Sequence, residues 1–219
     1  MKNGTMYAAR VKKVYTGLRQ SVSKPEVPES DDPLRRLVIA ILGVGWSDEE
    51  AARAVDRALT TMADWNEMRV SSAFELNKAT GNAVPKGTQQ CQYLASALQS
   101  IFDRENRLSL DRLKYIGRRE ARHYLEELDG VDAYAVASVL LWSLGGHAIP
   151  VNDRLLEALR ATDLVHPTAD RAEVQVFLER HVPAVEAKEF CMIMRSLGAR
   201  RGPSSRRTRA KAAARKKSV

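Results

Sequence analysis

Apolar residues recur along this chain at helical spacing, and the strict alternation of a half-buried strand is nearly absent. Tyr7, Val11, Val14 and Leu18 follow a 4-3-4 rhythm and predict an amphipathic helix over 5–22. The next stretch, SVSKPEVPESDDP (21–33), is polar, holds three prolines and reads as a loop. Ser30 or Asp31 then caps a helix with Pro33 in its first turn and Leu34, Leu37, Val38, Ile41 and Leu42 on its inner stripe. Ser47 and Glu50 have capping-box spacing and open a helix that runs through Ala63. A short helix is expected over 70–79, ending near Gly81. Pro85–Gly87 precede another, with Leu94, Ala97, Leu98 and Ile101 facing inward, and Ser109 caps a short segment containing Leu110 and Leu113.

The second half is more sharply patterned. A helix from Gly117 buries Ala121, Tyr124, Leu125 and Leu128, and LDGVD (128–132) follows as a tight turn. AYAVASVLLWSLGG (133–146) is apolar almost all round, which marks a central buried helix ended by its two glycines. IPVND (149–153) leads into a helix carrying Leu155, Leu156 and Leu159. Thr168 or Asp170 opens the next, and Pro183 separates it from a last helix at about 184–198. The fold class is all-α, with nine to eleven helices, short connections and no internal repeat.

Composition bounds what such a bundle can be. The 219 residues are 44% hydrophobic and 28% charged, enough for a real core. The longest apolar run, Ala133–Leu144, is too short to span a bilayer, and MKNGTMYAARVKK has no apolar leader core. We therefore expect no membrane partner, no secretion, and a cytoplasmic (nucleoid-associated) or nuclear location. Two cysteines, Cys91 and Cys191, exclude a disulfide scaffold and any all-cysteine metal or iron–sulfur site. His123, His147, His166 and His181 are scattered without ligand spacing, so no metal is expected.

The formal charge of +8 is unevenly placed. Residues 200–219 hold nine Lys/Arg and no acid, so the body before them is near neutral. Arg206, Arg207, Arg209, Lys211, Arg215, Lys216 and Lys217 form a basic tail over 203–219, expected to be disordered. Such a tail either neutralises nucleic-acid phosphates or solubilises the chain end.

The stretch from Tyr115 to Val165 carries the specific information: helix, glycine hairpin, buried helix, Gly-Gly, Pro150-Val151-Asn152-Asp153, helix. It resembles the helix-hairpin-helix/Gly-Pro-Asp superfamily of base-excision DNA glycosylases, the endonuclease III group. The family's hairpin Leu-Pro-Gly-Val-Gly corresponds to Leu128-Asp129-Gly130-Val131-Asp132, and its Pro-Val-Asp-Thr-His to Pro150-Val151-Asn152-Asp153-Arg154. Segments 32–55 and 181–201 are similar to the family's first helix pair and to the helix that precedes its cluster cysteines. The resemblance covers about 5–202. It implies a two-lobed helical domain over 1–202, one lobe from about 32–128 and the other from the terminal helices. It implies double-stranded DNA as partner and a monomer as the working form. No iron–sulfur cluster is expected, because the chain enters its tail where the cluster loop would follow.

The family breaks the bond between a base and its sugar, using a carboxylate to stabilise positive charge on the sugar, with a Schiff-base lysine added in some members. The lysine position falls on Tyr134, and a phenol forms no imine. Tyrosine there is similar to the monofunctional mismatch glycosylases. The carboxylate position falls on Asn152, with Asp153 next to it. Either this pair serves catalysis or it simply caps a helix, and Tyr134 is either a site residue or a core aromatic. Leu128, Gly130, Val131 and Asp132 are the candidate DNA-contacting turn, although Asp129 and Asp132 would repel a phosphate they faced. Trp46, in Gly43-Val44-Gly45-Trp46-Ser47, either stacks on a base or belongs to the core.

Two functional readings follow: a DNA-binding glycosylase-like protein of base-excision repair, with weak or lost monofunctional activity, or an inactive DNA-binding or interaction module on the same scaffold. A helical adaptor with an incidental basic tail is a third. Tyr134, Asn152 and Asp153 should line one groove between the lobes, with Trp46 near its opposite wall.

Overall fold

The computed structural model describes residues 4–21, 32–82, 84 and 87–199. The basic tail residues Arg206, Arg207, Arg209, Lys211, Arg215, Lys216 and Lys217 lie outside them, as do Ser30 and Asp31. Among the described residues there are eleven α-helices, two short 3-10 turns and no strand.

Helix α1 (Gly4–Ser21) is followed by α2 (Pro33–Leu42), whose cap is Asp32: its carboxylate accepts from the Leu34 N–H at 2.9 Å, with Pro33 first in the helix. Helix α3 (Asp48–Thr61) opens with the full Ser47–Glu50 capping box. The short helix expected over 70–79 is α5 (Ala73–Ala79), capped by Ser72, and a further short helix not expected from the sequence, α4 (Trp65–Val70), capped by Asp64, precedes it. At six residues α4 is too short to show a helical apolar period in the sequence. Helix α6 (Gly87–Glu105) and a 3-10 turn (Asp111–Lys114) follow, then α7 (Arg118–Glu126), α8 (Ala133–Trp142), α9 (Asp153–Ala161), α10 (Arg171–His181), a second 3-10 turn (Ala184–Glu186) and α11 (Ala187–Ala199).

Helix α8 is the centre. Every residue from Tyr134 to Trp142 is buried, as its nearly uniform apolarity requires. It packs against α2, α7 and α11. On one side α2, α3, α5 and α6 pack against one another, with α4 on α6; on the other, α1, α9, α10 and α11 do. The first and last helices meet there: Arg19 of α1 pairs with Glu189 of α11 at 2.9 Å, and the Tyr15 ring lies 5.2 Å from Phe190.

One ionic cluster ties the two sides across α8. Asp48, at the start of α3, accepts from Arg36 of α2 and Arg195 of α11, both at 2.9 Å. Both guanidinium groups lie over the Trp142 ring, at 5.8 and 4.9 Å from its centre.

Candidate active site

Helices α7 and α8 pair through the tight turn at Leu128–Val131, closed by the Val131 N–H on the Leu128 carbonyl at 3.3 Å. Gly130 sits in this turn at φ +74°, a conformation that glycine adopts without strain. It also lies against α6: a Cβ there would fall 2.4 Å from the Tyr93 carbonyl oxygen. The hairpin glycine thus has a packing reason on this protein's own backbone.

Asp132 does not face outward as a bare charge. It caps α8, accepting from the Ala135 N–H at 2.9 Å, and its other oxygen lies 3.4 Å from Arg171. At the next helix the same device recurs: Asn152 caps α9, its side-chain oxygen accepting from the Leu155 N–H at 2.8 Å. The Asn152 carboxamide is therefore engaged by its own helix. Asp153 is the first residue of α9, and half its side-chain surface (51%) is exposed. Its carboxylate lies 3.4 Å from Arg171 Nε. Arg171, the first residue of α10, so bridges Asp132 and Asp153.

These groups border a cleft of about 410 Å³, a volume suited to one small organic group. It is lined by Gly130, Val131 and Asp132 at the hairpin, Asp153 and Arg171 at the starts of α9 and α10, Ile41 of α2 with Val44 just beyond it, and Gln89, Gln90 and Tyr93 of α6. Of the residues singled out by sequence, the structure brings Gly130, Val131, Asp132 and Asp153 together here. Leu128 is buried beneath the turn, and Trp46 is half-buried against the core instead of lining the cleft, where its neighbour Val44 stands.

Tyr134 also departs from the expected groove. It is only 5% exposed and borders a neighbouring recess with Asp132, Ala133, Val151 and Arg171. Its hydroxyl donates towards Asp48 at 3.4 Å, and burial, reinforced by the Asp48 charge, pushes its ionisation well above the ordinary tyrosine range. It is a neutral donor there, held by the ionic cluster. The reason is register: the second residue of α8 points to the side that α3 and α11 close.

Sequence reading missed Ile41, Val44, Gln89, Gln90, Tyr93 and Arg171. Most sit on helices remote in sequence from the hairpin, and Arg171 is an ordinary first-turn residue. Gln90 alone carried a signal, as a polar residue in register with the apolar stripe Leu94, Ala97 and Ile101. Cys91 and Cys191 are both buried, which raises their thiols to about 11 and about 12. No group of three or more potential metal ligands occurs among the described residues. No described helix is long and apolar enough to cross a membrane.

No family model matches the chain. An Arabidopsis thaliana protein named "putative DNA glycosylase" is 26% identical over 157 residues, covering 71% of this chain and 53% of that protein. The chain thus spans about half the length of that relative. The structure superposes on a trapped endonuclease III–DNA covalent intermediate with a TM-score of 0.67 and 13% identity, covering 85% of this chain and 84% of the other. A Clostridium acetobutylicum 8-oxoguanine glycosylase/lyase bound to double-stranded DNA gives 0.65 and 12%, over 88% and 69%. A thermostable thymine-DNA glycosylase gives 0.60 and 14%, over 91% and 88%. Motif order, helix order and superposition agree: this chain has the helix-hairpin-helix/Gly-Pro-Asp fold of the endonuclease III-like DNA glycosylases.

Proposed function

We propose that this protein binds duplex DNA as a monomer, receives one everted nucleotide in the cleft, and acts as a monofunctional N-glycosylase of low turnover in base-excision repair. The observation that carries this reading is the Asp153 carboxylate, half exposed at the start of α9 in the cleft beside the hairpin. A base cannot be attacked inside the stack, so a cleft of nucleotide size next to a backbone-binding turn suits the task. Asp132 is turned into α8 and towards Arg171, which lessens its repulsion of a phosphate at the turn.

Hydrolysis breaks the C1′–N bond, the base leaving with the electron pair. The carboxylate stabilises the positive sugar and takes a proton from the water whose oxygen bonds to C1′; the base takes up a proton. Strand cleavage through an imine is absent from this scheme, since Tyr134 supplies no amine. Two features support low turnover. Asn152 is neutral and engaged in capping, and Arg171 offsets part of the Asp153 charge. The same Arg171–Asp153 pair favours the second reading, an inactive DNA-binding module.

The test is incubation with duplexes carrying a panel of lesions and mismatches, followed by alkali to reveal abasic sites. We expect slow abasic-site formation that Asp153→Asn abolishes. Binding with no abasic sites supports the inactive module instead. Absence of DNA binding refutes both and leaves the helical adaptor.

A further inference from the structure

The cleft contains one polar side chain whose burial is not accounted for by the fold. Gln90 is 6% exposed, and among the described residues its carboxamide has no hydrogen-bond partner. The other buried glutamine, Gln175, donates to Glu179 at 3.2 Å. Orphaned polar atoms such as Ser138 Oγ are fully sealed. The Gln90 carboxamide is not among those sealed atoms, and the residue lines the cleft. The carboxamide therefore opens on the cleft, where a ligand's polar edge can pair with it. Leucine or alanine at this register would continue the Leu94–Ala97–Ile101 stripe and offer no such edge.

We infer that Gln90 is a specificity-determining residue that reads the hydrogen-bonding edge of the everted base, and that the base is a pyrimidine-2,4-dione of the uracil or thymine type. The inference rests on the glycosylase reading of the cleft. Ile41 and Val44 offer apolar contact to a flat ring, while Gln90 enters from α6 and Asp153 from α9. A ring with its glycosidic bond towards Asp153 can turn its far edge to Gln90. A carboxamide places one N–H donor beside one carbonyl acceptor, matching the carbonyl and N3–H of a dione. The dione is symmetric about N3–H, so either carbonyl serves.

Leaving-group chemistry narrows the class. A dione departs as an anion spread over its two carbonyl oxygens and is stabilised by fixed donors. Bases with an amino edge depart best after ring protonation. The cleft supplies fixed donors, the Gln90 amide and the Arg171 guanidinium, and a guanidinium does not act as an acid at neutral pH.

The experiment measures affinity of the full chain for duplexes with uncleavable 2′-fluoroarabino-uridine, 2′-fluoroarabino-adenosine or a tetrahydrofuran abasic analogue opposite guanine. The readout is the ratio of affinities for base and abasic duplexes, so a general loss of binding cancels. We expect wild type to prefer the uracil duplex about tenfold over the abasic one, the range of a bidentate base contact. Gln90→Leu should bring the ratio near one. Gln90→Glu, which keeps an acceptor but removes the donor, should leave an intermediate ratio and guards against a folding defect of the leucine variant. An unchanged ratio in both variants, or equal preference for adenine, overturns the inference while the glycosylase reading stands. Failure of wild type to bind any duplex refutes that reading, and this inference with it.

Discussion

Replacing Gly130 with alanine tests whether the hairpin is held by packing on α6. The added methyl meets two separate penalties. The residue is at φ +74°, where an L side chain costs roughly 1–2 kcal/mol. Its Cβ would also stand 2.4 Å from the Tyr93 carbonyl oxygen and 2.8 Å from the Tyr93 Cα. These are backbone atoms inside a helix and cannot swing aside, so the turn or α6 must shift, at about 1–3 kcal/mol. The sum is about 2–5 kcal/mol, or a fall in Tm of roughly 4–20 °C for a domain of this size. Gly145 supplies the control: φ is +64°, and nothing lies within 4 Å of its Cβ. Gly145→Ala should therefore show the strain alone, about 1–2 kcal/mol. Urea unfolding of the two variants separates the terms. A loss for Gly130→Ala no larger than that for Gly145→Ala would refute the close approach to Tyr93.

Further outcomes follow from the same geometry. Asn152→Asp keeps the cap, so stability should change by less than about 0.5 kcal/mol, while the abasic-site assay should show at least a tenfold gain; Asn152→Ala should cost about 1 kcal/mol in urea. Asp48→Asn leaves Arg36 and Arg195 without their shared anion and should cost about 1–3 kcal/mol, less than a fully buried pair because all three side chains keep some exposure. Burial, ahead of the neighbouring Glu189 for Tyr15 and Glu105 for Tyr124, raises both phenols from 10.0 to about 12. The folded state thus favours the neutral phenol, so this stability is complete below pH 10 and declines as pH rises from 10 to 12, as thermal melts across that range should show. Removing 203–219 should weaken DNA binding and reduce the slope of log K against log salt by about 5–6, as expected for six or seven phosphate contacts; an unchanged slope would exclude DNA as the tail's target.

Local chemistry was legible in the sequence, and convergence was not. The capping box at Ser47, the buried run 134–142 and the Asn152 cap each follow from a few neighbouring residues, and each stands in the structure as read. The α2 cap moved to Asp32, one residue from the nearer candidate, because Pro33 suits the first helical position and any of three polar residues before it satisfies the pattern. Tyr134 shows a harder limit. Its position as second residue of α8 follows from the hairpin and the buried run, but whether it faces the cleft depends on α3 and α11, which contribute Asp48 and Arg195 from distant parts of the chain. Arg171 was invisible for the same reason: nothing at the start of α10 shows that two other helix N-termini lie beside it.

That convergence bears on how the proposed glycosylase would present an anion while Asn152 is engaged as a cap. Helices α8, α9 and α10 all begin beside the cleft, and each N-terminus carries partial positive charge. Asp132 and Asp170 offset it at α8 and α10 by capping with a carboxylate. Asn152 caps α9 with a neutral group, so the end of α9 keeps its positive character and favours the next residue's anion. Asp153 is that residue, and as the first helical position it is free of capping duty and reaches the cleft. Arg171 then fixes the Asp132 and Asp153 carboxylates relative to each other, at 3.4 Å from each. Under the glycosylase reading proposed above, Asp153 is the anion available to the sugar, and Arg171, from a third helix, offsets part of its charge. Removing that cation without creating a new charge, by Arg171→Gln, should therefore raise abasic-site formation if Asp153 is the working carboxylate and Arg171 chiefly damps it. A fall in activity would show instead that Arg171 is itself required, as a donor to the departing base.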